Sequence, residues 1–119
     1  MKKVPLKIGS WYKFGLYAEY FVIFIYMLRF YKILKHRMRN YASEIDIICV
    51  RNRTLVFVEV KARTSDVDDI LCSMSQQKKI RRAAEMFLYA NPKYSGYDIR
   101  FDLVVVRPYK FPQIIQNAW

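Results

Sequence analysis

From about Phe14 to Leu34 apolar residues recur so densely that they nearly encircle a helical wheel. The pattern predicts one long helix whose central turns are buried on most sides. Lys32, Lys35, Arg37 and Arg39 make its end and the following loop basic, which suits the negative end of a helix dipole. The period then shortens to two. The runs Glu44 to Val50 and Leu55 to Lys61 are rich in β-branched residues, and Arg51-Asn-Arg-Thr54 between them reads as a hairpin turn. Residues 64–74 are polar and predict a loop containing Asp66, Asp68 and Asp69. A second helix follows from about Gln76 to Ala90, with Ile80, Ala83, Ala84, Phe87 and Leu88 on one face. Ser73 or Ser75 would cap it, and Asn91-Pro92 ends it. Arg100 to Val106 is a third strand, and Gln113 to Gln116 a candidate short edge strand. The order α-β-β-α-β predicts a mixed α/β sheet packed by helices.

The hairpin has a chemical consequence. If Asn52-Arg53 is the loop, Arg51 faces Thr54, Asp46 falls opposite Glu59, and Glu44 opposite Lys61. Side chains alternate along a strand, so all four would project from one side, with Ile48 and Phe57 beside them. Ile45, Ile47, Cys49, Val56, Val58 and Val60 would form the opposite, apolar face. Directly opposed carboxylates about 4.5–5.5 Å apart at Cβ repel. They call for an intervening cation or a raised pKa. Oxygen ligands without neighbouring Cys or His favour Mg2+ or Mn2+ at Asp46 and Glu59. Lys61 beside them could stabilise charge developing on a phosphoryl group. The plainer reading makes Glu44–Lys61 a cross-strand ion pair and leaves Asp46 and Glu59 solvated.

Composition narrows the partners. A chain of 119 residues that is 54% hydrophobic reads as one folded domain, with residues 1–12 open to being a flexible N-terminal segment. Its 21 basic and 10 acidic residues give a formal charge of +11, which favours nucleic acid or an anionic membrane surface. The most apolar run, Tyr20 to Leu28, is far shorter than the roughly 20 residues of a spanning helix, so no membrane span is expected. Cys49 and Cys72 lack zinc or redox spacing and read as reduced thiols, pointing to the cytoplasm. With three glycines and one histidine, there is neither a phosphate-cradling Gly-rich loop nor a multi-histidine site.

Several motifs together carry a resemblance: Gly15-x-x-Ala-Glu19, Glu44-Ile-Asp46, Phe57-Val-Glu-Val-Lys61-x-Arg63, Lys78-x-x-Arg81, Arg100-Phe-Asp102 and the closing Asn117-Ala-Trp119. Nearly the whole chain from Lys13 resembles the YraN family of small uncharacterised bacterial proteins. That family is in turn similar to the PD-(D/E)xK, restriction-endonuclease-like nucleases, Holliday-junction resolvases among them. The resemblance implies a restriction-endonuclease-like α/β fold and metal-dependent hydrolysis of DNA phosphodiesters, on branched or otherwise structured DNA. It implies that Asp46 and Glu59 hold the metal, that Lys61 assists the nucleophile and that Glu19 approaches from the first helix, with Glu44 at the rim. Ala18 and Ser43 stand where that family usually has Gly, and Arg37 where Asn is common.

Arg63, Lys78, Lys79, Arg81 and Arg82 are candidate phosphate contacts, against the plainer reading of a solvated basic helix face. Gln76 and Gln77 open the second helix near the expected site. Glu19 is weighed equally as a site residue and as half of a salt bridge. Arg100 and Asp102 share a strand face and read as a structural ion pair. His36 reads as a surface residue, and Tyr12, Tyr17, Tyr20, Tyr26 and Tyr31 as core before base-stacking groups. A resolvase-like role would favour a homodimer. The rival functions are a non-catalytic nucleic-acid-binding module of the same fold, and a peripheral membrane or scaffold protein using helix 14–34.

Overall fold

The computed structural model describes residues 4–64 and 72–119, with backbone alone for 4–12. The side chains of the expected N-terminal segment, 1–12, and the acidic part of the expected 64–74 loop lie outside the described residues. The long predicted helix ends earlier than its apolar pattern suggests: α1 spans Val4–Leu28, and Lys32–Arg39 is a strand, β1. The stop is a Schellman turn. Phe30 adopts φ 69, its N–H bonds to the Met27 carbonyl at 3.0 Å, and the Tyr31 N–H reaches the Tyr26 carbonyl at 3.0 Å. The Tyr26 and Tyr31 rings meet edge to face at 5.0 Å across it. Glycine is the usual occupant of that left-handed position, so phenylalanine there conceals the stop. The basic cluster therefore belongs to a strand, and the last turn of α1 carries no basic residue to complement its dipole.

β2 (Glu44–Arg51) and β3 (Thr54–Ala62) form the predicted hairpin. Asn52 and Arg53 take φ 50 and 63, the two left-handed residues of a type I′ turn. Pairing runs from Arg51↔Thr54 to Ile47↔Val58 in the expected register. α2 spans Met74–Ala90. Ser73 caps it by accepting the Gln76 N–H at 3.1 Å, and Asn91 ends it. α2 is the crossover that lets β4 (Asp98–Val106) lie parallel to β3. β5 (Gln113–Ile115) pairs antiparallel at the edge, giving the order β1-β2-β3-β4-β5.

The sheet separates two cores. Ala18, Val22 and Tyr26 of α1 pack on Ile47, Cys49, Val56, Val58 and Val104. Ile80, Ala83, Ala84 and Phe87 of α2 pack on Ile48, Leu55, Phe57 and Phe101, with the Phe57 ring between Phe87 and Phe101 at centroid distances of 6.0 and 5.5 Å. Ile45 sits in this second core, not on the face predicted for it. Its partner Met38 turns the same way, whereas the next pair, His36 and Ile47, keeps to the α1 side. Arg37 between them has φ 59, and that left-handed residue breaks the alternation of β1. It is a position where Asn is tolerated better than Arg.

One sheet can cover only one side of α1. Tyr17, Tyr20, Phe21, Phe24, Met27 and Leu28 accordingly form an outward stripe, each at least 45% exposed, where the wheel predicted burial on most sides. Among the described residues no helix is long and apolar enough to cross a membrane.

Candidate functional site

Below Ile47↔Val58 the β2–β3 ladder opens, and a side chain takes over from the backbone. Asp46 Oδ2 accepts the Val60 N–H at 2.8 Å, so the carboxylate is lodged in the fork between the strands. Glu59, 7% exposed, points towards the start of α2. Its Oε2 accepts from Gln76 Nε2 at 2.9 Å and pairs with Lys61 Nζ at 3.0 Å. Lys61 Nζ donates in turn to Gln76 Oε1 at 3.1 Å. One amide thus ties the acid to the ammonium from the start of α2, a bridge the sequence did not reveal. Among the described residues, no hydrogen bond engages Asp46 Oδ1 or Glu59 Oε1.

Burial first, and then the Glu59 charge, push the Asp46 carboxyl up to about 8; Glu19 adds to the rise, while the Val60 N–H and Lys61 oppose it. The fork therefore favours the protonated acid, and a bound cation would displace that proton. Two carboxylates with an unengaged oxygen each suit a hard divalent ion. The described residues contain no group of three His, Cys, Asp or Glu able to hold a metal ion. Mg2+ commonly keeps several waters and takes only one or two carboxylates, so the pair fits Mg2+ or Mn2+ completed by water or substrate oxygens.

Glu19 reaches the same region from α1, 9% exposed, but its Oε1 is engaged by His36 Nε2 at 2.8 Å and Arg37 Nε at 3.0 Å. His36, expected at the surface, is half-buried between Glu19 and the Tyr20 ring, whose centroid lies 5.1 Å away. Neither partner was legible while residues 32–39 read as helix end and loop. Consecutive residues of a regular strand point to opposite faces, and only the left-handed Arg37 lets both reach one oxygen. Glu44 does not face Lys61: it pairs with Arg39 at 3.7 Å, out towards solvent, because the ladder that would align it has already opened.

The basic candidates divide. Lys78, Lys79 and Arg82 line a cavity of about 540 Å3 with Tyr41, Ala42 and Ser75. Arg81 leaves that group and lies over the Phe101 ring, 5.1 Å from its centroid. Arg63 is fixed at the end of β3, its N–H on the Val106 carbonyl at 2.9 Å and its guanidinium on the Ala62 carbonyl at 3.1 Å.

Arg100 and Asp102 form the expected ion pair in bidentate form, both bonds 2.9 Å. Asp102 is wholly buried and also accepts from Tyr26 Oη at 2.8 Å and the Asn117 N–H at 3.1 Å. Burial, followed by the Asp102 charge, drives the Tyr26 hydroxyl well above its ordinary pKa. Every oxygen of this second acid is engaged within the protein, in contrast to the Asp46–Glu59 pair.

A five-stranded mixed sheet with a helix on each face, bearing two carboxylates and a lysine where adjacent strands diverge, places the molecule in the restriction-endonuclease-like α/β class. Residues 18–106 match the family described as Uncharacterised protein family UPF0102, and the chain belongs to that family. A UPF0102 protein of Rhodopseudomonas palustris (strain BisB5) is 37% identical over 117 residues, 97% of this chain and 88% of its own. Those of Parvibaculum lavamentivorans and Ehrlichia ruminantium are 35% identical over 109 residues and 37% over 105. They cover 91% and 88% of this chain, and 82% of each relative.

Proposed function

We propose that the protein is a metal-dependent endonuclease that hydrolyses DNA phosphodiester bonds. The observation that carries this reading is the Asp46–Glu59 pair, half-buried and buried respectively, electrostatically opposed and, among the described residues, left with an unengaged oxygen on each carboxylate. Such a fold hosts many activities, so the site and not the fold supports the reading. Asp46 and Glu59 would hold Mg2+ or Mn2+, which when bound supplies an acidified water and polarises a phosphoryl oxygen. Val60 fixes Asp46 through its backbone, and Gln76 fixes both Glu59 and Lys61. The Lys61 ammonium is thereby held where it can stabilise negative charge growing on phosphorus.

A single-turnover cleavage panel tests this, with Mg2+, Mn2+ or Ca2+ over branched, nicked, single-stranded and duplex DNA. Cleavage with Mg2+ or Mn2+ that disappears in Asp46→Asn and Glu59→Gln supports it. Cleavage surviving in both variants rejects the site, and an inactive wild type leaves a non-catalytic binding module of the same fold.

The α1 stripe supports a homodimer as part of this reading. Its six side chains expose roughly 500–600 Å2 per copy at half-exposure, so pairing two stripes would remove on the order of 1,000 Å2, the lower range for a specific interface. Tyr20→Glu with Phe24→Glu should shift the mass measured by light scattering from dimer to monomer, and a monomeric wild type refutes the pairing. A reducing, cytoplasmic setting is supported by two unbridged thiols, Cys49 and Cys72. Burial, then the Asp102 charge, pushes the Cys49 thiol up to about 12.

A further inference from the structure

Beside the carboxylate cluster lies a groove that the cleavage reading does not use. It runs between α2 and the turn joining β1 to β2. Ser75, Lys79, Arg82, Met86 and Ala90 recur at three- and four-residue steps along one side of α2, and all five line it. The wall is about 22 Å long at 1.5 Å per residue. Its two halves differ in chemistry. Near the N-terminus of α2 is the cavity of about 540 Å3 with Lys78, Lys79 and Arg82. Further along is an open, predominantly apolar cavity of about 640 Å3 floored by Met38, Met86 and Phe87, with Lys35 and Arg39 on its rim. Tyr41 lines both halves, its side chain standing clear of the protein at 102% exposure.

Among the described residues no carboxylate lines either half; Arg39 on the rim pairs with Glu44 at 3.7 Å. Three cations in the basic half and two on the rim of the apolar half, with an uncovered aromatic ring between them, complement a polyanion whose flat apolar faces are accessible. A duplex keeps those faces inside its own stack, whereas a single strand presents them, which is how single-strand sites combine basic grooves with aromatic platforms. The groove also has a direction. Its basic end begins at Ser75, one residue before Gln76, whose amide bridges Glu59 and Lys61.

We propose that this groove binds a single strand of DNA, with bases on Tyr41 and in the Met38–Met86 trough and phosphates on Lys78, Lys79 and Arg82. The strand is thereby led to the Asp46–Glu59 cluster. At about 3.4 Å per stacked nucleotide the wall accommodates about six. The proposal rests on the cleavage reading for what happens at the end of the groove, but the binding itself requires no metal.

The test is fluorescence anisotropy in EDTA at 150 mM salt, roughly physiological ionic strength. The probes are a labelled single-stranded DNA 12-mer (about twice the six nucleotides the wall holds), a blunt duplex of the same sequence and the corresponding RNA. The wild type should bind the single strand at least about tenfold more tightly than the duplex, and no less tightly than the RNA. Tyr41→Ala, at a fully exposed position and with its folding checked by circular dichroism, should weaken single-strand binding about tenfold, the scale of one lost base stack, and leave duplex binding unchanged. Lys79→Ala with Arg82→Ala should lower the salt slope by about 1.4, or 0.7 per lost phosphate contact. Equal or tighter duplex binding, preference for RNA, absence of binding, or an unchanged single-strand affinity in Tyr41→Ala overturns the proposal. Because no metal is present, single-strand binding by a protein that cuts nothing upholds the groove and removes the nuclease. Cleavage without single-strand preference does the reverse.

Discussion

Asp46 Oδ2 accepts the backbone N–H of Val60 at 2.8 Å, a side chain doing what the partner strand does elsewhere in the hairpin. The bond fixes the acid at the point where β2 and β3 separate, within range of the Glu59 charge that raises its pKa. It also makes Asp46 a structural and an electrostatic residue at once, so its substitution has separable consequences.

Metal binding should be visible without any substrate. Mg2+ or Mn2+ at ten times its dissociation constant should stabilise the wild type by about 1.4 kcal/mol, an increase in Tm of several degrees. Asp46→Asn and Glu59→Gln should each lose that increase along with cleavage, while DNA binding in EDTA is retained or strengthened. Ca2+ should raise Tm yet support little cleavage, because its looser coordination positions a water less strictly. A Tm response that persists in both variants places the ion elsewhere.

Stability of the metal-free protein should carry the signature of the fork. Asp46 is raised from the ordinary 3.8 to about 8 in the folded state. Between those values the folded chain keeps a proton that the unfolded chain releases, so the contribution is complete below about pH 4 and is lost as pH rises towards 8. Urea unfolding in EDTA at several pH values across that window should show the wild type losing stability relative to Asp46→Asn as pH increases. Parallel profiles contradict the shift.

Gln76→Ala removes the amide that bridges Glu59 and Lys61 but no large buried surface. Cleavage should fall about 10–100-fold, the range for a residue that orients metal ligands, with unfolding free energy changed by less than about 1 kcal/mol. Gln76→Glu should be worse, since it adds a carboxylate beside two others. Single-turnover rates at saturating metal and a urea titration measure the two effects.

Asp102 provides the contrast. Asp102→Ala strands Arg100 and the Tyr26 hydroxyl, and should cost about 3–5 kcal/mol by chemical denaturation. Tyr26→Phe should cost about 1 kcal/mol. The folded fraction of either should cut DNA at the wild-type single-turnover rate. A rate loss at full folding would make this second acid part of the chemistry.

Arg37 combines a strained backbone with an ion pair to Glu19. Arg37→Asn relieves about 1 kcal/mol of left-handed strain while losing a partly exposed pair worth a similar amount, so stability should change by less than about 1 kcal/mol. Arg37→Val loses the pair and worsens the strain, and should unfold at least about 2 kcal/mol more easily than Arg37→Asn. Equal denaturation midpoints for the two variants would exclude a backbone role.

The hairpin register, the α2 boundaries, the strand ending at Val106 and the Arg100–Asp102 pair were legible because each is written in local pattern. Period-two alternation and a two-residue turn set Arg51 against Thr54, and serine and asparagine mark the ends of α2. The alternation also put Glu59 and Lys61 on one strand face, with Gln76 opening a helix expected near the site; the bonds that join the three come from the tertiary structure. The sequence did not reveal where α1 stops, since Phe30 takes a position that glycine usually announces. Nor did it reveal β1, and with β1 went the His36 and Arg37 contacts to Glu19, the turning of Ile45 into the α2 core and the pairing of Glu44 with Arg39. All of these depend on two left-handed residues, Phe30 and Arg37, whose side chains have no intrinsic preference for that conformation. The burial of Tyr26 and Tyr31 at one, and of Glu19 beside the other, favours them there, together with the Schellman hydrogen bonds and the Arg37–Glu19 pair. Sequence periodicity reports what a segment prefers by itself; these residues sit where they do because long-range packing outweighs that preference.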